Sequence, residues 1–179
     1  MFTSERLWIG ALLPLALLGL APSQAASVDE ARRAHEPHEH GAAELHVVLE
    51  GKLLHLELHV PAMSVVGFEH EARDDGQRRA MAAVAATLER ADEVFAPTPQ
   101  AGCRVLHAHA GFESLEHGHA QLHAEYELEC ASPGRLAEIR VRLFELFPNI
   151  ERIDAEIIGS GGQTAATLSS GSPIMSMPR

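Results

Sequence analysis

The chain has 179 residues, 46% hydrophobic and 22% charged, which suits one domain with a real core and excludes a disordered or fibrous chain. Its 14 Lys+Arg against 25 Asp+Glu leave a formal charge of −11, and Lys52 is the only lysine, so the surface repels phosphate and neither nucleic acid nor anionic membrane suits it as a partner. Against this background stand 12 histidines, side chains that titrate near neutrality and ligate metals when neutral.

The opening carries Glu5 and Arg6, an apolar run from Leu7 to Ala21 and the small-residue ending Ser23-Gln24-Ala25. That pattern predicts a secretory signal over residues 1–25, with an uncleaved N-terminal anchor as the rival reading. No later segment is long and apolar enough to span a bilayer, so the mature product is expected to be soluble outside the cytoplasm and without a membrane span. Residues 26–40 are rich in His and Glu and read as a flexible, metal-capturing arm carrying His35, His38 and His40.

From Ala43 to Val60 apolar and polar residues alternate around Gly51-Lys52, which predicts two strands and a two-residue hairpin turn. The turn sets Leu49 opposite Leu54, Val48 opposite His55, His46 opposite Glu57 and Glu44 opposite His59. One face is then apolar, and the other gathers Glu44, His46, His55, Glu57 and His59, where a metal could be held. Pro61 ends the hairpin, and Ala62 to Glu71 reads as a loop or short turn carrying Val65, Val66 and Phe68 inward.

Asp74-Asp75 caps an Ala-rich helix expected over Gln77 to Val94, with Met81, Val84, Ala85, Leu88 and Phe95 at helical spacing. Cys103 to His109 alternates as a strand, with Val105, His107 and His109 on one side, and Ala110 to Glu116 reads as a loop. His117 to Cys130 alternates strictly, with Leu122, Ala124, Tyr126, Leu128 and Cys130 opposite His117, His119, Gln121, His123, Glu125, Glu127 and Glu129. A strand running into one helical turn is expected over Leu136 to Phe147, then a strand over Ile150 to Ile158, a turn at Gly159 to Gly162 and one or two weak edge strands over Thr164 to Met177. The polar tail, residues 169–179, reads as prone to fray.

The fold class is therefore α+β, a single domain over residues 41–168 with a mainly antiparallel sheet and one longer helix. His40-Gly41-Ala42-Ala43-Glu44-Leu45-His46 is echoed by His117-Gly118-His119-Ala120-Gln121-Leu122-His123, either the mark of two duplicated β-rich halves or a chance match of a short motif. In an oxidising compartment Cys103 and Cys130 are best read as a disulfide, and the rival reading as metal ligands finds no CxxC spacing.

Eleven of the 12 histidines fall in the windows 35–59 and 107–123, with His70 alone outside them. The pairs His38-x-His40, His107-x-His109 and His117-x-His119 put two imidazoles on one face of extended chain, and His123 shares the face of the third pair. Imidazole with carboxylate, without free thiolate or a Met-rich run, favours Zn²⁺, with Cu²⁺ and Ni²⁺ as alternatives. There is no HExxH, GxSxG, GxxxxGK or dinucleotide fingerprint, so the chain does not read as an enzyme.

The residues His40-Gly41-x-Ala43-Glu44-Leu45, the hairpin through Glu57, the loop Pro61-Ala62-x-x-Val65-Val66-Gly67-Phe68-Glu69-His70 and Leu143-Phe144-x-x-Phe147-Pro148 resemble the ZrgA-like family of periplasmic zinc-binding proteins. The resemblance implies a mixed α/β domain with a His-rich central stretch, acting as an accessory to zinc uptake by an importer. Carried over by position, that stretch corresponds to His107, His109, His117, His119 and His123, with His40 from the opening segment and His70 from the loop. The central stretch is broken by Ala110-Gly111-Phe112, where the family pattern is a near-continuous run of His and Asp. The expected function is a periplasmic zinc-binding accessory or buffer; the alternative is a non-metal interaction module that docks a partner through its acidic face.

Overall fold

Alternating apolar residues on either side of Gly51-Lys52 fold as strands β1 (Ala42–Glu50) and β2 (Leu53–Pro61), in the computed structural model, which describes residues 41–115 and 118–178. Gly51 takes φ +60, which a tight two-residue turn requires, and the hairpin register is Glu44↔His59, His46↔Glu57, Val48↔His55 and Leu49↔Leu54, as its turn length dictates. Period-two patterning then buries Leu54, Leu56, Leu58 and Val60 on one side of β2 and leaves His55, Glu57 and His59 on the other. Each fully buried aliphatic side chain on the inner side contributes roughly 1.5–3 kcal/mol.

The loop or short turn expected after Pro61 forms one short helix, α1 (Ala62–Val66), which ends at Gly67 in the left-handed conformation, and irregular chain follows as far as Asp74. The buried hydroxyl of Ser64 accepts from the Gly41 amide at 3.1 Å, tying α1 to the start of β1. Its role there is polar, which the apolar pattern of the segment hides. Helix α2 (Asp75–Leu88) is capped by Asp74, whose carboxylate accepts from the Gln77 amide at 2.8 Å. The expected continuous helix breaks at Glu89-Arg90, because Arg90 adopts φ −85 and ψ 73; α3 (Ala91–Val94) follows and delivers Phe95 into strand β3 (Phe95–Pro97).

β4 (Cys103–Ser114) runs through the segment read as a loop, because Phe112 pairs with Leu122 and packs on the core. β5 (Ala120–Cys130), β6 (Glu138–Val141), the turn α4 (Leu143–Leu146), β7 (Arg152–Gly159), β8 (Gly162–Leu168) and β9 (Ile174–Ser176) complete the domain. The tail does not fray: β9 pairs with β6, and Met175 and Met177 are buried.

A six-stranded sheet has the order β4-β5-β2-β1-β7-β8, and β3-β6-β9 form a second, three-stranded sheet. All pairs are antiparallel except β1 with β7, whose parallel ladder starts where the Gly41 carbonyl accepts from the Glu151 and Arg152 amides. A side chain at Gly41, which has φ +83, would press on the Glu151 side chain and the Asn149 carbonyl. The inner face of the large sheet, the second sheet and Leu88, Val94 and Phe95 share one hydrophobic core. Cys103 and Cys130 are register partners joined by a disulfide, which closes the ends of β4 and β5.

The echo survives locally, since Gly41 and Gly118 both take positive φ before a strand, but it does not extend to the topology. β1 is followed by its partner in the same sheet, whereas β5 is followed by β6 in the other.

Candidate metal centre

The outer face of the large sheet is a lattice of imidazoles and carboxylates, built by strand pairing in rows. Asp154, Glu44, His59 and His123 form one row across β7, β1, β2 and β5. Glu156, His46, Glu57, Glu125 and His109 form the next, and Ile158, Val48, His55, Glu127 and His107 the third. The positions on β7, β1, β2 and β5 follow from alternation on strands whose other face is core, and those on β4 from the register it takes up beyond Leu106.

Within this lattice Glu57, His59 and His123 converge. Glu57 and His59 stand two apart on β2, hence on one face, and His123 is brought opposite His59 by the β2–β5 ladder. Nε2 of His59 and Nε2 of His123 each lie 3.1 Å from Oε1 of Glu57, and the two rings stack with centroids 4.7 Å apart. The three ligand atoms all lie within 4.8 Å of one another. Bond lengths of about 2.0–2.2 Å to a tetrahedral zinc place its ligand atoms about 3.3 Å apart, so this donor set fits the ion with small adjustments.

The two imidazoles are sheltered, with side-chain exposures of 27% for His59 and 21% for His123, while Glu57 at 46% faces the solvent. Partial burial pushes the Glu57 carboxyl up, but hydrogen bonds and charge from His59 and His123 outweigh it and hold the group below its ordinary value. One carboxylate oxygen facing two ring nitrogens is an arrangement in which a single cation can replace both protons. Glu113 Oε1 lies 3.4 Å from Nδ1 of His123, where an acceptor holds the ring in the tautomer that leaves Nε2 for a metal. Glu125 Oε1 lies 3.9 Å from the same Nε2, within reach as a further oxygen donor.

The residues singled out in the sequence are distributed around this cluster. His123 is part of it. His46 lies one strand over, its ring 6.2 Å from that of His59 and its Nδ1 3.5 Å from Glu156. His107 and His109 share the outer face, with His109 Nδ1 3.6 Å from Glu89. His119 lies before β5 with Nδ1 3.4 Å from Glu69. His70 is in the segment after α1, donating from Nδ1 to the Glu71 carbonyl at 2.8 Å and stacking on Phe68, away from the cluster. His40 and His117 lie outside the described residues, as do the signal segment and the arm with His35 and His38. Glu57 and His59 belong to the hairpin's polar face, which the alternation marks as a place to hold a metal, and the distant β5 completes their site with His123, a meeting the hairpin alone does not specify.

The fold and this face define an α+β domain whose main sheet presents metal-ligating side chains on one side and a core on the other. The chain belongs to the ZrgA family: the family model for "ZrgA family zinc uptake protein" matches residues 37–177. No curated protein matches the chain. The family is one of zinc uptake and not an enzyme family. The disulfide and the family fit a periplasmic protein, and among the described residues no helix is long and apolar enough to cross a membrane.

Proposed function

We propose that this protein is an exported zinc-binding accessory that captures Zn²⁺ in the periplasm and buffers it for, or passes it to, a zinc importer. The observation that carries the reading is the single carboxylate oxygen of Glu57 placed 3.1 Å from both the His59 and His123 ring nitrogens. Two imidazoles and a carboxylate form a borderline donor set suited to zinc, and three protein ligands leave a coordination position through which an ion can enter and leave. A solvent-facing carboxylate beside two sheltered imidazoles suits a site that must give up its ion. The remaining histidines proposed as ligands, His40, His46, His70, His107, His109, His117 and His119, serve in this reading as outlying capture points, His40 on the N-terminal arm. The signal-like opening supports export, and the family's description supports a place in uptake.

Elemental analysis of the mature protein after equilibration with Zn²⁺, Cu²⁺ and Ni²⁺ in competition tests the reading. Retained zinc that is lost in the double variant His59→Ala/His123→Ala supports it. Equal zinc retention by wild type and double variant rules the centre out, and preferential loading with copper or nickel rules out zinc as the cargo.

A further inference from the structure

β4 changes face partway along its length. It pairs with β5 as Arg104↔Glu129 and Val105↔Leu128, then skips Leu106 and resumes as His107↔Glu127, Ala108↔Tyr126 and His109↔Glu125. With unbroken pairing Leu106 would stand opposite Glu127, and His107 would stand opposite Tyr126 on the core side. The extra residue turns both His107 and His109 onto the carboxylate face, and separates Val105 from the two histidines with which simple alternation groups it. The same shift sets Ala108, Ala110 and Phe112 on the core side, while Val105 is left 41% exposed and Leu106 42%. Its other product lies on the outer face.

That product is a row in which Glu127 stands between two imidazoles, in cross-strand register with His55 on β2 and with His107 on β4. Directly opposed residues have Cβ atoms about 4.5–5.5 Å apart, so the three side chains can meet on one ion. His55 Nδ1 is already 3.8 Å from Glu127 Oε2. The row borders a trough of about 330 Å³, lined by His46, His55, Glu57, His107, Glu125 and Glu127. A water molecule occupies about 30 Å³, so the trough holds a cation together with several of its waters.

We infer that this trough is a second divalent-cation site, with His55, Glu127 and His107 as its protein ligands and water completing the coordination. The inference rests on the reading of the outer face as zinc-binding, but not on the Glu57–His59–His123 centre. The trough site is the more open of the two, with side-chain exposures of 44% for His55 and 38% for Glu127, and holds its ion more weakly. Glu57 belongs to both places, as a wall of the trough and as a ligand of the centre. An ion can therefore move between the two stations across one carboxylate.

The test is a Zn²⁺ titration of the full chain, following the imidazole rings by long-range ¹H–¹⁵N NMR, beside elemental analysis of His55→Ala/His107→Ala. The expected result is that the His59 and His123 rings shift first and the His55 and His107 rings shift as more zinc is added. The double variant should lose one bound zinc per chain while its His59 and His123 rings respond as in wild type. Unmoved His55 and His107 rings at saturating zinc would overturn the inference, as would a variant that holds as much zinc as wild type. Movement of His55 and His107 with His59 and His123 silent supports the trough while removing the centre, so the two readings fail separately.

Discussion

The two faces of β2 are made by the same backbone and serve opposite ends. Leu54, Leu56, Leu58 and Val60 are wholly or almost wholly buried, whereas His55, Glu57 and His59, their immediate neighbours, line a solvated lattice. Alternation lets one strand build a core and display ligands without compromise between them. Stability and metal binding are therefore separable in this protein residue by residue. A substitution on one face should be nearly silent in the property carried by the other.

The largest effect should come from the inner face. Leu58→Ala leaves a cavity in the core behind His59 and is expected to destabilise the protein by about 2–5 kcal/mol, read from chemical denaturation of the metal-free form. Below its unfolding transition the variant should still take up zinc, because the His59 ring is anchored on the other face. Replacing both Cys103 and Cys130 by Ser comes next, with an expected loss of about 3–4 kcal/mol for a loop of this length. The disulfide closes the end of the sheet near Lys52, remote in register from His123, so zinc affinity should persist in that variant. A disulfide-free protein that folded normally but failed to bind zinc would show that the β4–β5 pairing, and not the local strand pattern, governs the site.

How far each region could be read from sequence follows the same division between local and distant. The β1–β2 hairpin was legible to the residue because Gly51-Lys52 fixes its register, and the apolar and polar sets agree with one another on either side of that turn. The N-cap at Asp74 and the strand-to-helix passage from Glu138 to Leu146 were legible for the same reason, being short-range signals. The meeting of His59 with His123 depends on β2 lying beside β5, a pairing between strands far apart in sequence that no local signal specifies. The parallel contact of β1 with β7 is hidden in the same way. Counting every second residue groups Val105 with His107 on one side, but the adjacent apolar pair Val105-Leu106 marks the bulge that divides them. The break of the long helix at Arg90 is hidden too, because neither Gly nor Pro marks it.

On the outer face the expected stability changes are small and the binding changes large. His59→Ala/His123→Ala removes two stacked, partly sheltered rings and should cost the metal-free protein about 1 kcal/mol, well below the core substitution, while abolishing zinc retention at the centre. Isothermal titration beside thermal unfolding, each with and without Zn²⁺, separates the two quantities. In wild type the zinc-bound form should unfold at a higher temperature than the metal-free form, and that increment should shrink in the variant. A variant whose metal-free form was several kcal/mol less stable would break the separation of faces proposed here.

The smallest effect is the pH dependence carried by Glu57. Its carboxyl is held below the ordinary value in the folded chain, so it adds stability above the unfolded carboxyl's pKa of about 4.3, and that stability is lost as pH falls through the folded value. Glu57→Gln in the metal-free protein should therefore be slightly less stable than wild type near pH 5–6, where the Glu57 carboxyl is ionised, and the gap should close toward pH 3. Solvent screening at a half-exposed carboxylate keeps this difference small. Zinc affinity runs in the same direction for a different reason: it should fall below about pH 6.5, where free imidazole takes up the proton that a metal must displace. Glu57→Gln removes the anionic member of the ligand set, so the variant should release zinc at a higher pH than wild type, as measured by a zinc-sensitive dye between pH 7.5 and 5.5, and coincident release curves would assign the ion to the imidazoles alone.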